Sequence, residues 1–209
     1  MIRVVSYGMG NIQSVLNAFA AIGATAAPAE RPEDLEDAER IVIPGVGAFG
    51  EAMLRLAGLG FLPALEQQVL TAGKPALGIC LGMELFADVS FEFGEHKGLG
   101  WIPGRVEAIP DRGGALRLPH VGWNDVHVRM PEPFFTGMGA DAACYFVHSY
   151  HFRAADPHHV LATVEYGREL AAAVGRDNIV GLQFHPEKSQ DAGLAILAAF
   201  AAWDGTAPC

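Results

Sequence analysis

The sequence has few cysteines, few basic residues and no apolar run long enough to span a membrane. Its 209 residues include three cysteines, Cys80, Cys144 and Cys209, and this odd number at wide spacing suggests no disulfide framework. We therefore expect a reducing, cytoplasmic setting. The longest apolar run lies between Asp191 and Asp204. It falls short of the ~20 residues that cross a bilayer, so no membrane partner is expected.

The charge balance is acidic. Lys and Arg together number 14 against 24 Asp and Glu, which gives a formal net charge of -10. Because binding to a nucleic-acid backbone needs a basic face, no nucleic-acid partner is expected. The first residues, MIRVVSYGMGNIQSV, interrupt their apolar run with Asn11, Gln13 and Ser14, which is unlike a signal peptide. The length fits one soluble domain, which we place at residues 1–209.

The first half of the chain alternates strand-like and helix-like segments. The strand-like runs are short, apolar and rich in β-branched residues: IRVVSYG, RIVIPG and PALGIC. The segments that follow them have helical spacing: NIQSVLNAFAAIG, FLPALEQQVLTAG and GMELFADVS. For the first helix, Asn11 is the predicted N-cap and Gly23 the predicted stop. This alternation predicts a parallel sheet covered by helices on both faces.

The second half is dominated by strand-like segments separated by turn-rich pieces: WIPGRVEAIP, VGWNDVHVR, ACYFVHSYHFR, HHVLATVEYG and NIVGLQFHPE. Hairpins added to the edge of the parallel core account for them. The last segment, DAGLAILAAFAAW, reads as a helix that packs back on the sheet. The predicted fold class is therefore α/β, with a mostly parallel central sheet flanked by helices and extended by antiparallel strands.

Cys80 lies where the strand PALGIC meets the following helix. Gly78 and Gly82 flank it and remove the Cβ atoms that a sharp turn would bring into collision, as in the G-x-S-x-G elbow of hydrolases. A thiol at a helix N-terminus should have a lowered pKa, and the N–H of Leu81 would face a developing oxyanion. Most free cysteines are simply small buried residues, and we keep that interpretation for Cys144.

A thiol nucleophile needs a base, and a base needs an acceptor that orients it. The segment FHPEKS offers both. The residue before proline is pushed toward extended geometry, so His185 and Glu187, two positions apart, should project to the same side. On its own, a His-Pro-Glu segment is more often a solvated turn. Paired with the cysteine turn, it predicts a Cys80–His185–Glu187 triad.

A glycine-rich loop, PGVGAFG, follows the strand RIVI. If that strand neighbours the cysteine strand, the loop ends beside Cys80. Backbone N–H groups near Val46 and Gly47 could then complete an oxyanion hole.

Three motifs in this order, PGVGAF, GICLGM and FHPEKS, resemble the class I, triad-type glutamine amidotransferases. The segments YGMGNIQSV, LPHVGWN and YFVHSYH extend the resemblance over nearly the whole chain. Together with HPEKSQ they are most similar to the glutaminase subunits of imidazole glycerol phosphate synthase, which serve histidine biosynthesis.

The resemblance implies that Cys80 attacks the side-chain amide of glutamine and forms a thioester. His185 would carry the proton to the departing ammonia and then activate water, while Glu187 orients His185. Val46, Gly47 and Leu81 would form the oxyanion hole. Family-like substrate contacts fall on Gly47, Glu84, Glu92, Ser149 and Tyr150, with Glu92 facing the α-ammonium.

The resemblance also implies a partner, because ammonia should pass to a (β/α)8-barrel cyclase subunit that adds it to a ribotide. Positions that would face this partner are Asn11, Val121, Trp123, Tyr145 and Lys188. No cofactor is implied. No metal is expected either, since His158 and His159 beside Asp156 lack further ligands at metal-site spacing and read as a solvated turn.

The chain departs from the family at one position. The family pattern after the nucleophile reads Gly-Met-Gln, whereas GMEL places Glu84 here. An ionised carboxylate accepts hydrogen bonds but cannot donate them, so Glu84 would repel the α-carboxylate of glutamine. Three outcomes stay open: Glu84 swings away from the site, it binds through a water molecule, or it weakens substrate binding.

Three alternatives stay open at this point. The chain could be the glutaminase of another synthase, such as the pyridoxal phosphate synthase, although PHVGWN speaks against it. It could be a free-standing cysteine hydrolase, which would need neither the PGVG loop nor a partner face. It could also be a non-catalytic binding module on the same fold, which would not require an intact triad.

Overall fold

The computed structural model describes residues 1–111, 113–114, 116–130, 133–139 and 142–206; Cys209 lies outside this part of the chain. The strands are β1 (Ile2–Val5), β2 (Ala26–Ala29), β3 (Arg40–Gly45), β4 (Ala76–Cys80), β5 (Val89–Ser90), β6 (His96–Lys97), β7 (Gly104–Ala108), β8 (His120–Val128), β9 (Ala143–His148), β10 (Tyr150–Ala154), β11 (Val160–Glu165), β12 (Glu169–Arg176) and β13 (Ile179–Leu182). The helices are α1 (Ile12–Ala21), α2 (Phe49–Gly58), α3 (Phe61–Leu65), α4 (Leu81–Glu84) and α5 (Gln190–Ala202). Shorter turns are π-helical at Glu66–Thr71 and 3₁₀ at Pro32–Leu35, Pro157–His159 and Pro186–Lys188.

The large sheet has nine strands in the order β2-β1-β3-β4-β13-β12-β11-β8-β9. Its first five strands pair in parallel. The remaining four continue the sheet with antiparallel pairings. A second sheet of four strands has the order β10-β7-β5-β6. The structure thus confirms the predicted fold class of a mostly parallel core extended by antiparallel strands.

The core lies on both faces of the large sheet. Helices α1 and α5 pack on one face, where Phe19 and Phe200 lie in the same buried cluster with their ring centroids 6.5 Å apart. Helices α2, α3 and α4 contribute Phe49, Phe61 and Leu81 to a second buried cluster. Strands buried on both faces are read in the sequence as continuous apolar runs, which is why RIVIPG and PALGIC were recognisable.

Local sequence signals set the boundaries of α1. The side chain of Asn11 accepts a hydrogen bond from the N–H of Ser14 at 3.2 Å, as expected of an N-cap. Gly23 follows the helix with a φ of 75°, a left-handed conformation that glycine adopts without a Cβ penalty.

Several predicted elements differ from the structure. The segment GMELFADVS forms only the short helix α4, which tightens into turns at Phe86 and Ala87 before β5 begins. The segment NIVGLQFHPE is not added at the edge of the parallel core: β13 pairs antiparallel with β12 and also in parallel with β4, so it lies inside the sheet. The segment ACYFVHSYHFR breaks at Ser149 and supplies β9 and β10 to different sheets. Strands β2, β5, β6 and β12 and helix α2 were not predicted.

No helix in the described residues has both the length and the apolar composition needed to cross a bilayer.

Candidate active site

Cys80 stands on a strained turn between β4 and α4. Its φ of 54° and ψ of −112° are unusual for a residue with a side chain. A Cβ on Gly82 would lie 1.7 Å from the carbonyl oxygen of Ile43, and one on Gly78 would lie 2.6 Å from that of Gly82. The structure therefore shows the close backbone approach that the two glycines predicted.

His185 and Glu187 form a buried pair. Nδ1 of His185 lies 2.8 Å from Oε1 of Glu187, so the ring donates to the carboxylate. Nε2 of His185 is buried without a hydrogen-bond partner. The backbone N–H of His185 donates to the carbonyl of Tyr145 at 2.9 Å. This bond anchors the backbone of His185 on strand β9, and Nε2 of the ring stays available.

The strand order brings the thiol and the imidazole together. Strands β4 and β13 are parallel neighbours, with Ile79 opposite Leu182, so the residues that follow them leave the sheet at the same edge. Cys80 Sγ lies 3.9 Å from the carbonyl of Val147, two residues along β9 from the carbonyl that holds His185. The thiol of Cys80 and the backbone of His185 therefore both contact one edge of β9.

The thiol is not pre-ionised. Burial is the largest influence and raises the pKa of Cys80, and the negative charge of Glu84 raises it further, while the N–H of Leu81 opposes both. The prediction of a lowered pKa was wrong, because one N–H from a four-residue helix cannot offset complete desolvation. Cys80 rests as a neutral thiol. Cys144 is fully buried in the core, as predicted.

A cavity of about 260 Å³ opens over Cys80. It gathers every residue predicted for the oxyanion hole and for substrate contact. The lining includes Val46, Gly47, Cys80, Leu81, Glu84, Glu92, His148, Ser149 and Tyr150. The sequence did not single out His148, although it directly precedes Ser149.

The loop after β3 forms one wall of this cavity. Gly45 pairs in register with Cys80, which confirms that the two strands are neighbours. Gly47 has a φ of 103°, a left-handed conformation, and a Cβ there would lie 2.9 Å from Cε of Met9. Tyr7, which the sequence analysis missed, packs its buried hydroxyl beneath Gly45.

Glu84 does not swing away from the site. It is 6% exposed, and Oε1 accepts a hydrogen bond from Nε2 of Gln183 at 2.9 Å. Burial raises the pKa of Glu84 to about 8, and the charge of Glu92 adds to the effect, so the carboxyl is mostly protonated at pH 7. A protonated carboxyl has one O–H donor. In this form Glu84 would not repel an α-carboxylate as an ionised carboxylate would.

Glu92 is tied to the start of α2. Its Oε2 accepts from the N–H of Phe49 at 2.5 Å, which is a favourable place for a carboxylate because the first N–H groups of a helix lack partners. The side chain is buried and lines the cavity.

The residues predicted to face a partner gather on one surface beside the triad. Val121 and Trp123 are 55% and 49% exposed on β8. The Trp123 and Tyr145 rings pack edge to face at 6.0 Å, and Nζ of Lys188 lies 5.7 Å from the centre of the Tyr145 ring. Asn11 and Lys188 flank a small cavity that reaches His185 and Glu187.

In the described part of the chain, no group of three or more acidic, histidine or cysteine side chains could hold a metal ion. His158 is exposed, and its Nδ1 lies 2.9 Å from Oδ1 of Asp156, which also caps the 3₁₀ turn.

The chain is similar over nearly its full length to subunits of imidazole glycerol phosphate synthase. It is 45% identical over 204 residues to the imidazole glycerol phosphate synthase subunit HisH of Syntrophotalea carbinolica, covering 96% of this chain and 98% of the relative. It is 46% identical over 210 residues to the subunit of the same name from Rhodospirillum rubrum, covering 97% and 98%.

Solved structures share the fold. A glutamine amidotransferase superposes with a TM-score of 0.73 at 21% identity, over 96% of this chain and 99% of that one. The glutaminase domain of Trypanosoma brucei CTPS with bound acivicin gives 0.62 at 18% identity, over 96% and 93%.

The family model for class I glutamine amidotransferases matches residues 4–202. Together with the relatives, this confirms the family that the three motifs indicated: the chain belongs to the class I glutamine amidotransferases and, within them, to the HisH group.

Proposed function

We propose that this chain is the glutaminase subunit of imidazole glycerol phosphate synthase and that Cys80, His185 and Glu187 are its catalytic residues. One observation carries the assignment of the site. The thiol of Cys80 lies in a cavity with the predicted oxyanion and substrate residues, and the backbone of His185 binds the same edge of β9 that the thiol contacts.

The chemistry starts from the neutral thiol of Cys80 and from Nε2 of His185, which is buried without a hydrogen-bond partner. Nε2 of His185 takes the proton of Cys80 as the sulfur attacks the amide carbon of glutamine, and Glu187 stabilises the resulting imidazolium. The imidazolium then protonates the leaving nitrogen, so that ammonia departs and a glutamyl thioester remains. A water molecule, deprotonated by His185, hydrolyses the thioester and releases glutamate and the thiol.

The cavity supplies the rest of the site. Backbone N–H groups of Val46, Gly47 and Leu81 stabilise the oxyanion. Glu92 keeps one oxygen for the α-ammonium of glutamine, because Phe49 engages only Oε2. The protonated carboxyl of Glu84 donates to the α-carboxylate, which replaces the amide that the family has at this position.

The partner is a (β/α)8-barrel cyclase subunit that receives the ammonia. Its docking surface on this chain comprises Asn11, Val121, Trp123, Tyr145 and Lys188. Exposed aromatic and apolar side chains at the centre of a patch are typical interface anchors. Lys188 directly follows Glu187, so contact with this lysine can act on the triad.

The test is glutamate release from glutamine by the purified chain, alone and with a barrel cyclase subunit that carries its ribotide ligand. We expect hydrolysis that is stimulated by the loaded partner and abolished by Cys80→Ala. The matched control is Cys144→Ala, which removes a buried thiol that does not line the cavity and should retain the stimulated rate.

Two outcomes would contradict the proposal. Undiminished turnover in Cys80→Ala would exclude the thioester mechanism. Full hydrolysis without a partner, together with no binding to the barrel subunit, would favour the free-standing hydrolase.

A further inference from the structure

Two buried histidines beside the cavity have no part in the proposed chemistry. His120 on β8 and His148 on β9 stand opposite each other in the strand pair. Both are nearly inaccessible, at 3% and 6% exposure. Nδ1 of His120 lies 2.9 Å from Nε2 of His148. Buried polar groups need partners, so the surrounding bonds determine where each ring carries its proton.

The direction of this hydrogen-bond chain is fixed at its inner end. Nδ1 of His148 lies 2.7 Å from the carbonyl oxygen of Tyr150. A carbonyl only accepts, so His148 carries its proton on Nδ1 and its Nε2 is the acceptor. Nδ1 of His120 must therefore be the donor to His148.

The outer end of the chain agrees with this direction. The amide nitrogen of Asn124 lies 3.3 Å from Nε2 of His120 and donates to the carbonyl of Glu165 at 3.0 Å. The Asn124 amide oxygen accepts from the N–H of Asp125, which fixes the orientation of the amide. Every ring nitrogen is then satisfied with one proton per ring. Burial lowers the pKa of His120 to about 4 and that of His148 to about 3, so both rings are neutral near pH 7.

The His120 ring is held on both faces. It stacks on Phe146 at 4.8 Å and on Tyr166 at 3.9 Å between ring centroids, with interplanar angles of 19° and 21°. A ring fixed in this way follows the position of its own strand.

The pair connects two functional surfaces. Side chains alternate across a strand, so His120 lies on the opposite face of β8 from Val121 and Trp123, which are exposed on the proposed docking surface. At the other end, the carbonyl of Tyr150 belongs to the Ser149–Tyr150 segment, which lines the glutamine cavity. The hydrogen bonds run from the carbonyl of Tyr150 through His148 to His120 on strand β8, whose opposite face carries the docking residues.

We propose that His120 and His148 are positioning residues that hold the Ser149–Tyr150 wall of the cavity in register with strand β8. Docking of the partner on the exposed face of β8 then sets the wall that contacts glutamine. This inference rests on the proposed function, since it assigns the cavity to glutamine.

Two variants of His120 separate the hydrogen bond from the packing of the ring. His120→Asn places an amide N–H near the position of Nδ1 and loses the ring. His120→Phe keeps a ring between Phe146 and Tyr166 and loses the donor. We expect KM for glutamine in the partner complex to rise about tenfold in His120→Phe, because Nε2 of His148 is left without a donor. In His120→Asn, KM should stay within about threefold of the wild-type value. In both variants kcat should change less than KM.

A purely structural role predicts the opposite ranking. His120→Asn leaves a cavity and should lower the unfolding temperature more than His120→Phe. If KM follows the unfolding temperature, or if neither variant changes KM, the inference is wrong.

The proton positions give a test that needs no activity. In the wild-type chain labelled with ¹⁵N-histidine, we expect the rings of both His120 and His148 to be in the Nδ1–H form at pH 7. His120→Phe and His148→Asn assign the two rings, because each variant loses one signal. A proton on Nε2 of either ring would overturn the inference. The proposed function fails by a different observation, which is absence of partner-stimulated glutamine hydrolysis in the wild type.

Discussion

The parallel and antiparallel halves of the large sheet differ in burial and in what they carry. Strands β3, β4 and β13 are buried almost throughout, and the proposed nucleophile, base and oxyanion loop lie at their carboxyl ends. Strand β8 instead alternates buried and exposed residues, and with β9 it carries the proposed docking surface and one wall of the cavity. The proposed chemistry thus lies on strands that are buried on both faces, and the proposed docking surface lies on strands with one exposed face.

The sharpest way to break the parallel half is to add one methyl group at the nucleophile turn. Gly82→Ala would place Cβ 1.7 Å from the carbonyl oxygen of Ile43, which requires the backbone of β3 or α4 to move. We expect a loss of more than about 4 kcal/mol in the free energy of unfolding, or no soluble protein. Thermal or urea unfolding measures this.

Gly58→Ala is the matched control, because nothing lies within 4 Å of a Cβ at the end of α2. It should be neutral or stabilising by up to about 1 kcal/mol. A Gly82→Ala variant as stable as this control would show that the turn is not constrained.

A second change tests the chemistry of the parallel half without its fold. In Glu187→Gln the side-chain amide can offer an N–H to Nδ1 of His185, which favours the tautomer with its proton on Nε2 and unable to accept from Cys80. We expect kcat to fall by about 10² to 10⁴, while the unfolding temperature stays within a few degrees. Partner-stimulated glutaminase assays measure the rate. A loss of less than tenfold would exclude Glu187 as the orienting residue.

Much of the parallel half could be predicted from sequence, and its motifs explain why. Gly78 and Gly82 mark a backbone contact, and the spacing of His185 and Glu187 is local, so both are visible in one strand and one turn. Strand β12 was missed because ELAAAVGR is rich in alanine and glycine, which are weak strand signals. Strand β13 was placed at an edge because a short apolar run does not specify its neighbours.

The environment of a side chain was harder to predict than its position. The sequence placed Cys80 at a helix N-terminus, which the structure confirms, and Glu84 lines the same cavity as Cys80. Their pKa values depend on burial, and that of Glu84 also depends on a hydrogen bond from Gln183, which is distant in sequence. For the same reason the His120–His148 pair was not foreseen, since it forms only when β8 and β9 align in register.

The buried carboxyl of Glu84, beside the Cys80 turn, lowers the unfolding free energy of the chain at neutral pH. The pKa of Glu84 is about 8 in the folded chain against an ordinary value of 4.5, so between these values the unfolded chain releases a proton that the folded chain keeps. The part of the unfolding free energy that is linked to Glu84 is therefore present in full below pH 4.5, and it is lost as the pH rises toward 8. Glu84→Gln removes this loss and should be more stable by roughly 3 kcal/mol at pH 7, with little difference at pH 4.

Thermal unfolding of both proteins from pH 4 to pH 8 checks this, and the gain should appear as several degrees in unfolding temperature at the upper end. The exposed Glu66→Gln is the control and should change the curve little at any pH. Parallel curves for wild type and Glu84→Gln would show that Glu84 ionises normally.

The smallest expected effect lies in the antiparallel half and acts on association. Trp123→Ala removes an aromatic side chain that is half exposed and packed against Tyr145, so it should weaken binding to the barrel subunit by about 10-fold to 100-fold. Calorimetric titration of the two subunits measures this, and the glutaminase rate at saturating partner should fall far less than the affinity. Val128→Ala is the matched control, since Val128 is an exposed apolar residue of β8 that points to the other face. If both variants lose affinity equally, the partner does not distinguish the two faces of β8. The antiparallel half would then have no specific docking face, and the proposed division of the sheet into a catalytic half and a docking half would be wrong.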